Sequence, residues 1–263
     1  KDYAGYAMKV RRGSDNVEAD VAFDADGVIS DTSLIYNATN TNSSPDGTNF
    51  NTWAGNTAYL KTWYDQSGQG KDITQTNSSA QPLVKSSNNL VKLNNIQATS
   101  WLNGAEFLPL DNASLDKGSI SIFTTAQHSN LSYGTNQWMW GFSTNSSNWF
   151  GHLLNNNVDS FYYGSQGSIS GNTANTSLLV FQYLAGTSTN GAVMFKNTGQ
   201  AGNSKGNLET GSLTNLSTNG LGGWGSSTYK WVGHVQEFIV FNTDKNATRS
   251  DITSNIQTYF SVS

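Results

Sequence analysis

TWYDQSGQGKDITQ, residues Thr62–Gln75, decides the fold class. Thr62, Trp63 and Tyr64 have strong strand preference, and large rings cover much of a strand face. Asp65, Ser67, Gly68, Gly70 and Asp72 then form a compact polar segment whose side-chain oxygens can bond nearby backbone N–H groups. The stretch therefore reads as a strand running into a tight polar turn. YKWVGHVQEFIVFNTDKNATRSDITSNIQTYF, Tyr229–Phe260, reads as a long strand, a loop and a short closing helix. Thr248 or Ser250 can cap that helix, Asp251 falls in its first turn, and Ile252, Ile256, Tyr259 and Phe260 recur on one face.

Outward from these anchors the chain is a series of short apolar runs. Tyr6–Val10 and Val17–Phe23 flank a polar turn at Arg11–Asn16, and Asp24-Ala25-Asp26-Gly27 supplies another turn. Ser119–Thr125 alternates as a half-buried strand should. Gln137–Ser143, Trp149–Leu154, Ser160–Tyr163, Ser177–Ala185 and Gly191–Lys196 continue the series. Their spacing and the Gly-rich turns between them predict an all-β antiparallel domain. A parallel sheet would need crossover helices of a dozen or more residues, which the sequence does not contain. Asn37–Phe50, rich in Asn, Thr and Ser around Pro45-Asp46-Gly47, reads as an exposed loop. No Pro-rich or charged linker divides the chain, so one domain over residues 1–263 is expected.

Only 12% of the residues are charged, about half the usual share, so Asn, Ser, Thr and Gln must wet the surface. A net charge of -4, from 14 basic and 18 acidic residues, leaves no positive field to gather phosphates and argues against general nucleic-acid binding. Arg11–Arg12 reads as a solvated pair at a strand end, with a small anion contact as the alternative. There are no cysteines, hence no disulfides, thiolate ligands or cysteine nucleophile. No apolar run approaches a membrane span, and no signal peptide is visible. The chain opens at Lys1 in what already reads as a strand, as a fragment or processed chain would.

The acidic turns admit two readings. Either Asp65 ties down its turn while the glycines bend it, or Asp65 and Asp72, with Asp24 and Asp26 as a second donor pair, contribute oxygen ligands to calcium. His128, His152 and His234 show no compact ligand spacing and read as exposed or sheet-packed.

The opening YAMKVRRGSDNVEADVAFDADG and YLKTWYDQSGQGKDITQ resemble the concanavalin A-like, or laminin-G-like, superfamily, in a variant found in bacterial and phage surface proteins. They also resemble part of the catalytic sandwich of α-L-arabinofuranosidases of glycoside hydrolase family 54. GHVQEFIVFN and DITSNIQTYF look like the final strand and helix of laminin-G-like modules. The resemblance implies a two-sheet antiparallel jelly-roll sandwich, lectin-like glycan recognition on a concave face or rim loops, and calcium in some relatives. It implies an acidic pair in the enzymes. The fungal enzymes' cysteines are missing here.

A sugar site combines an aromatic ring with amide and carboxylate groups in a concavity. Trp138, Trp140 and Trp149, near Asn136 and Asn148, are the ring candidates, with Tyr162 as a further stacking group. Each ring has ordinary core packing as its alternative. Trp138 and Trp140 share strand parity and are expected on one face. Hydrolysis would need two facing carboxyl groups, with Glu18, Glu106, Glu209 and Glu237 foremost and Asp65, Asp72 and Asp159 behind them. Glu237, lying in a strand, is expected to find a hydrogen-bond partner or a wet face. The leading expectation is a noncatalytic carbohydrate-binding or attachment module whose partner is a glycan or cell-surface polysaccharide, on an extracellular bacterial surface or a virion. A glycoside hydrolase and a purely structural appendage or capsid domain are the alternatives.

Overall fold

The computed structural model describes residues 3–39, 47–102, 104–110, 115–116, 118–133, 136–145, 148–163, 168–187, 191–202, 213, 219–224 and 229–263, without the side chains of 143–145, 148–149, 163, 172, 186–187 and 224. The chain is all-β, a two-sheet antiparallel sandwich with a short C-terminal helix. It gathers into two compact units, Lys1–Trp101 with Glu106–Leu108, and Leu102–Ala105 with Pro109–Ser263.

In the first unit β1 (Met8–Arg12) lies between β2 (Glu18–Val21) and β4 (Ala58–Trp63), and β3 (Ile35–Tyr36) extends β2. β5 (Ile73–Thr74) returns along β4, so the polar turn of Thr62–Gln75 closes a hairpin in which Thr62 faces Thr74 and Trp63 faces Ile73. β6 (Leu83–Ser86) pairs with β4, with β7 (Asn89–Leu90) and with β10 (Thr99–Trp101), while β8 (Lys92–Leu93) and β9 (Ile96–Gln97) form a small hairpin. A single-turn helix, α1 (Phe50–Ala54), is capped by the Asn49 side chain, which accepts from the Asn51 N–H.

Arg11 and Arg12 depart from expectation. Strand β1 continues through both, and both are buried. Arg11 lies over the Tyr59 ring at 4.4 Å and donates to Gln81 Oε1, Asn16 Oδ1 and the Ser78 carbonyl. Arg12 donates to both carboxylate oxygens of Asp15 and to the Trp53 carbonyl. A guanidinium inside a sheet is tolerated when its fork is this fully bonded. The pair therefore builds the fold instead of forming a solvated strand end.

β11 (Leu108–Pro109) falls where the chain passes to the second unit, which holds two facing sheets. One runs in the order β19 (Gly199–Gln200), β18 (Gly191–Lys196), β17 (Leu179–Thr187), β12 (Ser121–His128) and β23 (Gly233–Phe241). The other runs β20 (Gly220–Leu221), β13 (Asn136–Asn145), β14 (Asn148–Asn155), β15 (Val158–Tyr163) and β16 (Ser168–Thr173), with β21 (Gly223–Trp224) and β22 (Tyr229–Lys230) paired separately. Trp140 joins the two sheets, with ring centroids 6.0 Å from Tyr183 and 6.2 Å from Phe238. β12 is buried along nearly its whole length rather than half-buried, and β17 and β23 pair with its two edges.

The closing helix, α2 (Arg249–Phe260), follows a 3₁₀ turn, Asn246–Thr248. Thr248 occupies the N-cap position without a capping side-chain bond, and Ser250 lies inside the helix, so neither hydroxyl caps as expected. The buried stripe is Thr253, Ile256 and Phe260, whereas Tyr259 is exposed. Arg249 ties the helix down by donating to Gln182 of β17 and stacking 3.8 Å from the Phe195 ring centroid.

Candidate functional site

The ladder of β14 against β15 sets His152 and Asp159 on one face and Tyr162 on the other. Asn156 and Asn157, both with positive φ (47° and 63°), make the two-residue turn between the strands. This is the backbone that right-twisted hairpins favour and that Asn accepts more readily than most residues. The turn fixes Asn155 opposite Val158, Leu154 opposite Asp159, His152 opposite Phe161 and Gly151 opposite Tyr162. Since facing residues share a side and side chains alternate, His152, Phe150, Phe161 and Asp159 point inward, while Gly151, Leu153, Ser160 and Tyr162 point outward.

Inward, Asp159 is the hub of a cluster in which His128, His152 and Asp159 are buried and Lys196 is partly buried. Its Oδ1 lies 2.8 Å from His128 Nε2 and 3.1 Å from His152 Nε2, and its Oδ2 lies 2.6 Å from Lys196 Nζ. Trp231 Nε1 donates to His128 Nδ1 at 2.8 Å. An indole N–H can only donate, so Nδ1 of His128 is the acceptor and its proton sits on Nε2, which donates to Asp159. Phe181 packs edge-on to both imidazoles. Burial works to raise the Asp159 carboxyl, but hydrogen bonds from His128 and His152 outweigh it and hold the group well below the usual carboxylate range. Burial lowers His152, against the opposing pull of Asp159. The cluster is therefore an ion pair, Asp159 with Lys196, solvated by two imidazole N–H groups.

His128, His152 and Asp159 are also close enough together to be considered as a metal set. The proton inventory does not fit one. A metal-bound histidine uses its other ring nitrogen as a donor, whereas His128 Nδ1 accepts from Trp231, and the Lys196 ammonium already neutralises Asp159.

Outward, the same ladder carries no charge at the described positions. A bulge between Trp138 and Trp140 sets Trp138 opposite Leu153 and Trp140 opposite His152. Because Leu153 and His152 are successive residues, the two tryptophans lie on opposite faces, correcting the expectation from parity alone. Trp140 belongs to the aromatic core with Phe142, Phe150 and Phe161. Trp138 lies on the outer face against Tyr162, ring centroids 5.7 Å apart. Both indoles are 2% exposed, so neither offers solvent a face. Gly151 makes room beneath: a Cβ there would come within 2.9 Å of the Trp138 ring and clash with the Trp140 carbonyl.

Three of the expected sugar-site residues thus lie on one face, and two of them, Trp138 and Tyr162, are in contact. Tyr162 and Asn136 are half-exposed beside buried Trp138, and Ser168, opposite Tyr162, and Ser170 add accessible hydroxyls. Trp140 is excluded from this face, and the side chains of Trp149 and Asn148 lie outside the described residues.

In the first unit, the acidic turns spend their carboxylates on backbone. Asp24 Oδ1 accepts from the N–H groups of Asp26 and Val28, and Asp26 is exposed. Asp65 accepts from Ser67 and Lys71, and Asp72 accepts from the Asp65 N–H. Against a burial effect of opposite sign, hydrogen bonds lower Asp65, chiefly from Ser67 and Lys71, and Asp24, chiefly from Ser30 and Val28.

Of the remaining carboxyl candidates, Glu18 pairs with Lys61 at 2.6 Å, Glu106 is buried in the first unit, and Glu209 lies outside the described residues. Glu237 stands opposite Thr125 on β23, half-buried, and burial pushes its carboxyl up to about 7. It does not bond His234, whose Nδ1 meets Ser129 Oγ at 3.0 Å.

No family model matches the sequence, and no curated protein does either. Two of the solved structures that share the fold cover most of this chain. One is Trypanosoma rangeli sialidase in complex with the inhibitor DANA, at TM-score 0.53 and 12% identity over 76% of this chain and 30% of that one. The other is an arabinofuranosidase complexed with arabinofuranosyl-α-1,2-xylobiose, at TM-score 0.55 and 14% identity over 96% of this chain and 58% of that one. The chain spans less than two thirds of either protein, and at such identities the likeness is one of fold. Among the described residues no helix is long and apolar enough to cross a membrane.

Proposed function

We propose that the chain is a noncatalytic glycan-binding module that holds a sugar on the outer face of the β13–β16 sheet. The observation that carries the reading is the half-exposed Tyr162 ring set against buried Trp138 among amides and hydroxyls. A sugar ring presents C–H groups on one face and hydroxyls around its rim. A rigid aromatic backed by a second ring receives the first, and Ser168 and Ser170 on the neighbouring strand receive the second. Both fold neighbours are carbohydrate enzymes by their names, which is consistent with this use of the scaffold. An attachment role on an extracellular bacterial surface or a virion follows as part of the same proposal, since cell-surface polysaccharides are where such a module would find its ligand.

The test is retention on a glycan array without release of products, together with its loss in Tyr162→Ala at unchanged folding. Retention that survives Tyr162→Ala would place the sugar elsewhere.

A hydrolase is the second reading, and Glu237 favours it. A carboxyl near neutral pKa is what a general acid needs. Released reducing sugar that disappears in Glu237→Gln would establish turnover and displace the noncatalytic reading.

A further inference from the structure

We infer that the ligand of the outer face is an uncharged glycan, not a sialylated or uronic-acid polymer; this deepens the glycan reading above and rests on it. The described outward positions of the ladder, Asn136, Trp138, Ser160, Tyr162, Ser168 and Ser170, carry neither sign of charge. An anionic sugar buried against such a face would lose water around its carboxylate without gaining a cation, and recognition of carboxylates relies on Arg or Lys, often in bidentate geometry.

Three of the four described cations of the second unit are engaged elsewhere. Lys196 points inward onto Asp159. Arg249 is held on α2 by Gln182 and the Phe195 ring. Lys245 lies over Phe241 at 5.0 Å. Lys230, half-buried on β22, is the remaining described cation of this unit, and it faces Gly223 across its own hairpin. With a net charge of -4 the whole chain also repels polyanions at long range. The two fold neighbours hold ligands of opposite kinds, since DANA is an acidic sugar analogue and arabinofuranosyl-xylobiose is neutral. The face built here suits the second kind.

The experiment is retention of the full chain on immobilised neutral polysaccharides (arabinoxylan, arabinan, mannan, β-glucan) and acidic ones (polygalacturonate, sialylated glycans), at about 0.1 M and about 1 M NaCl. This range shortens the Debye length from about 10 Å to about 3 Å. Retention on a neutral polymer, less than about twofold different between the two salts and unchanged in Lys230→Ala, is the expected result. Preferential retention on an acidic polymer, weakened about tenfold or more by salt and lost in Lys230→Ala, would overturn the inference while leaving the module a glycan binder. Retention on no polymer of either class would instead overturn the glycan reading on which it rests.

Discussion

On the inner face of the β14–β15 ladder, His152 and Asp159 sit in an aromatic core, where the Asp159 carboxylate meets His128 of β12, His152 and Lys196 of β18, and His128 in turn accepts from Trp231. On the outer face of the same ladder, Gly151, Ser160 and Tyr162 carry no charge, and Tyr162 is accessible. One hairpin register produces both. The difference teaches that the strongest electrostatics in this unit serve cohesion, and that recognition falls to the weakly polar side. A buried ion pair seldom stabilises more than an apolar replacement would, yet breaking it is costly, because one charge is left without a partner.

That asymmetry gives the largest expected effect. Asp159→Ala strands the Lys196 ammonium in the core and should cost about 3–5 kcal/mol in urea unfolding. Asp159→Asn combined with Lys196→Met, which removes both charges, should recover much of that loss. A double variant as unstable as Asp159→Ala would mean that the pair is not the hub.

The pH response separates the two faces further. The His152 pKa is lowered on folding, so its contribution is complete above the unfolded value of about 6.5 and is lost as pH falls below it. The Asp159 pKa is also lowered, so its contribution holds above about 3.9 and fails as pH drops further. Glu237 has the opposite sign. Its carboxyl is raised to about 7, so stability is full below the unfolded value of about 4.3 and declines as pH rises through neutrality. Glu237→Gln should therefore match the parent near pH 4 and exceed it by on the order of 1 kcal/mol near pH 8. It would also leave the histidine-driven acid loss in clear view. Glycan retention at temperatures where the fold is intact should stay flat over the same range, because the described residues of the outer face include no carboxylate and no histidine.

Calcium carries the smallest expectation. The carboxylates of Asp24, Asp65 and Asp72 already hold backbone N–H groups. A bound ion would have to use their remaining lone pairs, with a modest rise in unfolding midpoint that a chelator reverses. Identical midpoints in calcium and chelator would reduce both turns to hydrogen-bonded connectors.

How far the sequence could lead is visible in particular residues. The all-β class, the hairpin at Thr62–Gln75 and the closing helix were legible because local pattern and turn chemistry agree there. Trp138 and Trp140 misled because a bulge between them reverses parity, and no residue between them announces it. Arg11 and Arg12 misled because burial of a guanidinium depends on Gln81, Ser78 and Trp53, far away in sequence. Two of the five residues of the cluster were within reach. Asn156-Asn157 signals a two-residue turn, which alone puts His152 and Asp159 on one face. His128, Lys196 and Trp231 arrive from three other stretches of chain, and only the tertiary fold unites them.

The most direct measurement is a glycan-array comparison of the parent chain with Tyr162→Ala, run beside thermal unfolding of both. The expected result is retention on a neutral glycan that weakens about tenfold or more, about 1.4 kcal/mol, with a cooperative unfolding transition kept and its midpoint lowered only by the lost Tyr162–Trp138 contact. Equal retention by both chains would contradict the assignment of the outer face as the binding surface.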